Sequence, residues 1–192
     1  MINHVRKSKQ ERKNEVFKAI GKIAAQKGFN NVTTKAVADI LQVSQPAIYK
    51  YFKNRDELIL YFLDNIEILL NNIIKIAEKE DNLYERIFKL INEHFKMVEN
   101  NEVLPVMVFS DEIHIGDIQK KEKLQKIVFD YRQNIINLIN DCPQNQVIAD
   151  IILGSIIFNG LKWRLSNKSY SLSSRSEELA QTIYKLCITK KE

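Results

Sequence analysis

Glycine and proline are scarce in this chain, 5 and 3 of 192 residues. That scarcity, and the lack of long period-two alternation, argue against an all-β fold, which needs turn residues at short intervals. The two cysteines, Cys142 and Cys187, stand far apart and match no metal or redox spacing. They are expected to be plain thiols of a reducing cytoplasm. No apolar run is expected to cross a membrane, which takes roughly 20 residues. The opening MINHVRKSKQERK is charged and has no apolar stretch behind it, unlike a secretory signal. Internal repeats and low-complexity tracts are absent. No Gly-rich phosphate loop, nucleophile–base pairing or paired-carboxylate signature stands out, so catalysis is not expected. Asp111, Glu112 and His114 cluster in FSDEIH, with Glu93 and His94 elsewhere. No second histidine follows at three or four residues, so the cluster reads as a polar face rather than a metal site. Neither a metal nor a cofactor is expected.

What is present is material for a helical core. Hydrophobic residues make up 45% of the chain and charged residues 28%, which suits a folded rather than a disordered protein. The charge is unevenly placed: residues 1–55 carry a net +9 and residues 56–192 a net −4. A basic head on a mildly acidic body is the footprint of a nucleic-acid-binding module joined to something else, or else a solvated basic face.

Periodicity and caps predict all-α architecture. Ser8 and Glu11 form a capping box before Val16, Phe17, Ile20, Ile23 and Ala24, and Gly28 closes that helix, at 9–27. Thr33 caps a helix at 34–41, Ser44 one at 45–51 with Pro46 in its first turn, and Asn54 with Glu57 a long one at 55–79. Further helices are expected at 83–100, 104–114, 117–141, 145–167 and 174–190, the last capped by Ser174 and Glu177.

The short helices at 34–41 and 45–51 read as a helix-turn-helix. Val37, Ala38, Leu41, Val43 and Ile48 supply its apolar contacts, with small Ala38 at the crossing and Val43 plugging the turn. With Ile48 and Phe52 facing inward, Gln45, Ala47, Tyr49, Lys50 and Tyr51 are left mostly outward. Glutamine can read a base edge, and tyrosine and lysine can hold phosphates. The other reading is a helical hairpin in which Tyr49 and Tyr51 are half-buried packing residues.

From about residue 10 to residue 62 the chain resembles the DNA-binding head of the tetracycline-repressor (TetR) family. The resemblance rests on Gly28-Phe29, Thr33, Val37-Ala38, Val43-Ser44, Ala47-Ile48-Tyr49-Lys50-Tyr51-Phe52 and Asn54-Arg55-Asp56-Glu57-Leu58. It implies phosphate contacts from Thr33, Tyr49, Lys50, Tyr51 and Arg55. It places Gln45, Pro46 and Ala47 nearest the bases, with Thr34, Lys35 and Ser44 beside them. Three positions depart from the family's frequent choices: Gln42 and Pro46 stand for glycine, and Gln45 for lysine. The remainder of the chain resembles the family only in length and helical layout.

Two features of the body at 56–192 bear on function. Phe88, Phe95, Met107, Phe109 and Phe158, with the polar candidates His94, Tyr131, Asn159 and Trp163, are consistent with either a packed core or an apolar ligand cavity. Ile148, Ile152, Ile156 and Ile157, with Leu179 and Ile183 in the last helix, make a core wall or half of a dimer interface. In the family the corresponding helices pair across a two-fold axis. The expectation is a cytoplasmic, homodimeric, ligand-responsive repressor, with its DNA-binding head at 1–55 and its regulatory and dimerisation body at 56–192. It would bind a palindromic stretch of double-stranded DNA, with no membrane partner. A chromosome-organising or division-control protein of the same fold without an inducer is the alternative, and a helical enzyme or lipid carrier a remote one.

Overall fold

The computed structural model describes residues 8–101, 107–116 and 118–189. Among them there is no strand. The helices are α1 (Lys9–Lys27), α2 (Thr34–Leu41), α3 (Gln45–Tyr49), α4 (Arg55–Ala77), α5 (Leu83–Asn100), α6 (Ile118–Leu138), α7 (Asn145–Leu165) and α8 (Ser176–Ile188). A π-helical turn, Glu112–Gly116, precedes α6.

Local chemistry sets most of the boundaries. Ser8 Oγ accepts from Glu11 N–H at 3.2 Å while Glu11 Oε2 accepts from Ser8 N–H at 2.7 Å, closing the capping box of α1. Gly28, at φ 84°, ends it. Thr33, Asn54 and Asn82 each accept a backbone N–H at the starts of α2, α4 and α5. Three expectations shift. The third helix stops at Tyr49, because the N–H groups of both Tyr51 and Phe52 turn back to Ile48 O. The last helix starts at Ser176 behind a 3₁₀ turn, and Ser174 Oγ donates to Ser171 O instead of capping it. The helix expected at 104–114 lies partly outside the described residues, and its described end is the π-helical turn.

α1, α2 and α3 form the head, closed over α4. Phe62 of α4 stacks on Phe17 with centroids 5.0 Å apart and meets Phe29 edge-on at 5.7 Å. The same helix continues into the body, where it packs on α5 and α6, so one rod of 23 residues belongs to both parts. α7 and α8 close the far side against α5.

α7 corrects one expectation. It is 21 residues long, long and apolar enough to cross a membrane by length and composition. Much of its apolar surface is not buried, because the helix is apolar on two sides. Ile148, Ile152, Ile156 and Trp163 face the core, while Val147, Ile151, Phe158 and Leu165 face outward.

Candidate nucleic-acid interface and ligand cavity

The head's apolar residues do what a helix-turn-helix requires. Val37, Ala38 and Ile48 are buried, and Val43 N–H bonds to Ala38 O at 3.0 Å across the turn. Gln42 takes the left-handed conformation, φ 52° and ψ 44°, a strain of about 1–2 kcal/mol for a residue with a side chain. The structure leaves Lys35, Ser44, Pro46, Tyr49 and Lys50 exposed along α2 and α3. Gln45, Ala47 and Tyr51 are partly buried, and Thr33 spends its hydroxyl on the Ala36 N–H at 3.0 Å.

Two residues expected at the DNA surface stand elsewhere. Thr34 is buried, not groove-facing. Its hydroxyl donates to Tyr49 Oη at 3.3 Å and accepts from Gln45 Nε2 at 2.9 Å, so it orients the two side chains that do reach the surface. Arg55 turns its fork inward. Its Nε donates to Val32 O at 2.8 Å, its Nη2 to Phe29 O at 3.0 Å and its Nη1 to Glu112 at 2.7 Å. With three donors held by the protein, it joins head to body in this conformation.

Glu112 gathers this junction. Its Oε1 also accepts from Lys120 Nζ at 2.6 Å, and Lys120, a buried lysine, reaches Asp56 at 2.6 Å. Burial alone would raise the Glu112 pKa; the hydrogen bonds from Arg55 and Lys120 outweigh it and hold the carboxyl below its ordinary value. Burial likewise works to lower Lys120, and bonds from Asp56 and Glu112 reverse that and raise it. Farther along α6, Lys123 bridges Asp64 and Glu67 of α4 at 2.7 and 2.6 Å.

The body contains an apolar cavity of about 140 Å³. α4 contributes Ile66 and Leu70; α5, His94, Met97 and Val98; α6, Leu124, Ile127, Val128 and Tyr131; α7, Leu153, Ile156, Ile157 and Gly160. Met107 and Val108 complete it. Three expected lining residues are there: His94, Met107 and Tyr131. The others are not. Phe95 is buried in the core and Phe88 stacks on Tyr84, while Phe109 and Phe158 are 63% and 64% exposed. Asn159 bonds back to Ser155 O at 2.8 Å, and Trp163 donates to Tyr170 O at 2.8 Å. The missed residues recur at three- and four-residue spacing on α6 and α7, as core residues do, so spacing alone could not separate wall from filling. A second hollow of about 330 Å³ adjoins the first. It shares Val108, Leu124 and Val128 with it and adds His114, Lys121, Gln125 and Phe129.

His94 Nδ1 lies 3.0 Å from Tyr131 Oη, the polar pair at the cavity wall. Burial pushes the imidazole down to about 4, so the ring is neutral at pH 7, and raises the Tyr131 phenol.

The residues expected at a dimer interface also move. Ile148, Ile152, Ile156 and Ile183 are buried within the protomer, because the helix turns that stripe toward α5 and the cavity. Ile157 lines the cavity and Leu179 is half-buried. The free face is the next stripe round: Val147, Ile151, Gly154, Phe158, Leu161 and Leu165 at 4-3-4-3-4 spacing.

A helix-turn-helix head on a cavity-bearing helical body defines a DNA-binding regulator. Residues 16–62 match the model of bacterial regulatory proteins, tetR family. The head, from α1 into α4, is therefore that of the bacterial regulatory proteins of the tetR family. It is similar to the nucleoid occlusion factor SlmA of Haemophilus ducreyi, 27% identical over 148 residues, which is 66% of this chain and 73% of that one. Among solved structures, the fatty acid degradation regulator FadR of Bacillus halodurans superposes with a TM-score of 0.79 at 16% identity, covering 96% of this chain and all of that one. FadR of Bacillus subtilis, solved in complex with stearoyl-CoA, superposes at 0.75 with 15% identity, covering 90% and 98%.

Proposed function

We propose that the chain is a cytoplasmic, ligand-responsive repressor that binds a palindromic operator as a homodimer and carries out no catalysis. The observation that carries the reading is the path from cavity to head. Ile66 and Leu70 of the cavity wall and Arg55 and Asp56 of the head junction are on one helix, α4. The head is 1–55 and the body 56–192, with the first turns of α4 serving both. Lys35, Ser44, Gln45, Pro46, Ala47, Tyr49, Lys50 and Tyr51 form the DNA surface, and Thr33 supports it from the cap of α2. The apolar cavity accepts a small apolar molecule; FadR of Bacillus subtilis, similar in fold, was solved in complex with stearoyl-CoA. A ligand that fits one conformation better moves α4 and with it the spacing of two heads.

The dimer is formed through the outward stripe of α7, whose 3.5-residue spacing suits a helix seam, together with exposed Leu186 and Ile188 of α8. Two copies then present recognition helices about 34–36 Å apart, one turn of DNA.

The likeness to SlmA favours a second reading, a chromosome-organising protein that uses the same head at many sites. Genome-wide mapping of bound DNA, with operator affinity measured with and without a panel of apolar compounds, tests the choice. A few palindromes and ligand-dependent release support the repressor. Dozens of dispersed sites and no response to any compound support the organiser.

A further inference from the structure

We propose that the α4–α7 cavity selects a compact, uncharged ligand carrying one hydroxyl, a phenol or short alcohol, held by the ring of His94. The inference rests on the ligand-responsive reading and deepens it.

Size is the first constraint. At about 140 Å³ the cavity is on the scale of the roughly 150 Å³ voids that admit a benzene ring. Charge is the second. None of the described residues lining this cavity is Asp, Glu, Lys or Arg, and Lys121 belongs to the adjoining hollow, so a carboxylate or ammonium seated in the cavity itself would be an unpaired buried charge. Hydrogen bonding is the third. Nδ1 of His94 is taken by Tyr131 Oη, and among the described residues no group bonds its Nε2. The imidazole is neutral, so Nε2 offers one neutral hydrogen bond whose direction follows the tautomer. If Tyr131 donates to Nδ1, Nε2 carries the proton and donates. If Nδ1 carries it, Nε2 accepts. A hydroxyl serves either state, since it donates and accepts, and a carbonyl serves only the first. In a cavity otherwise walled by aliphatic and methionine side chains and by Tyr131, whose hydroxyl is paired with Nδ1, this ring nitrogen distinguishes a hydroxylated ligand from its hydrocarbon isostere.

Phenol and toluene, nearly equal in size, make the test. A purely apolar cavity prefers toluene, which loses no hydrogen bonds on leaving water. A cavity with a waiting partner prefers phenol, by roughly twofold to tenfold for one neutral bond. The full-length protein is titrated with phenol, toluene and benzoate, read by calorimetry and by Tm. The expected result is phenol tighter than toluene, benzoate not bound, and the order of phenol and toluene reversed in His94→Leu. A second readout uses the wild type alone: the His94 ring-proton resonance should move with phenol and not with benzoate. Toluene binding as tightly as phenol, an unchanged order in His94→Leu, benzoate binding, or an unmoved His94 resonance each overturns the proposal. Failure of all three probes to bind also overturns it. Operator release by some other apolar compound would then leave the repressor reading standing without this ligand class.

Discussion

Arg55 Nη1 donates to Glu112 Oε1 at 2.7 Å across 57 residues of sequence, and the same oxygen accepts from Lys120. Arg55 opens α4 beneath the head, and Glu112 stands just after Met107 and Val108 of the cavity wall. The pair therefore spans the junction between the head and the cavity-bearing body. Its surroundings decide its worth. The Lys120 side chain is 3% exposed and that of Glu112 14%, so removing the carboxylate leaves a buried ammonium with Asp56 alone.

Glu112→Gln is expected to destabilise the protein by about 1–3 kcal/mol and to shrink the effect of any ligand on operator affinity. Chemical denaturation checks the first, and operator binding with and without ligand the second. Asp111→Asn, at an exposed neighbour, is the control. The sign with pH follows from the depressed carboxyl. Its contribution is full above the ordinary 4.5 and is lost as pH falls through the lower folded value. Glu112→Gln should lack that acid-side loss, and an identical acid limb in both proteins would refute the junction's role.

At the DNA surface the expected pattern separates contact from support. Lys50 is exposed, so Lys50→Ala should leave Tm unchanged, weaken operator binding and reduce the salt slope by about 0.9 for one phosphate lost. Thr34→Val removes a buried hydroxyl that holds both Gln45 and Tyr49, so it should cost about 1 kcal/mol of stability as well as operator affinity. Equal Tm loss in both variants would place Lys50 in the fold rather than at the groove.

The head was legible in the sequence because short-range signals dictate it: caps at Ser8, Thr33 and Asn54, and inward Ile48 and Phe52. What the sequence hid is long-range. Arg55 reads as a phosphate contact until the fold brings Glu112 to it. Thr34 reads as surface until Tyr49 and Gln45 close over it. In the body, helical spacing identified apolar stripes but not which stripe faced where. α7 has two such stripes about 100° apart, and choosing the Ile148–Ile152–Ile156 stripe for the outside reversed the helix. The aromatics chosen for the cavity failed for a related reason, since Phe109 and Phe158 project outward while smaller Leu, Ile and Val residues line it.

His94 gives a pH dependence of its own. Its folded pKa of about 4 lies below the ordinary 6.5, so between those values the unfolded chain binds more protons than the folded one. Stability is full above 6.5 and falls as pH drops through that window. At about 1.4 kcal/mol per unit, the loss from this ring is at most about 3–4 kcal/mol. His94→Leu should flatten stability between pH 6.5 and 4 relative to wild type, measured by urea denaturation. An unchanged slope would mean that the folded ring takes up its proton at no cost.

The two faces of α7 make opposite predictions. Ile151 is 38% exposed on the outward stripe and Ile152 fully buried one residue on. If a second copy covers the outward stripe, Ile151→Lys places an unpaired charge in the seam without touching the protomer core. It should yield folded monomers with nearly wild-type helicity and much weaker operator binding, because a monomer presents one recognition helix instead of two. Ile152→Ala should do the reverse. It opens a cavity in the protomer and costs about 2–5 kcal/mol, yet leaves the seam intact, so the folded fraction stays dimeric. Light scattering at micromolar concentration, beside circular dichroism, distinguishes them. Dimers from Ile151→Lys would move the interface off this stripe. Monomers from Ile152→Ala would mean that dimerisation depends on the inner packing of α7 rather than on its exposed seam.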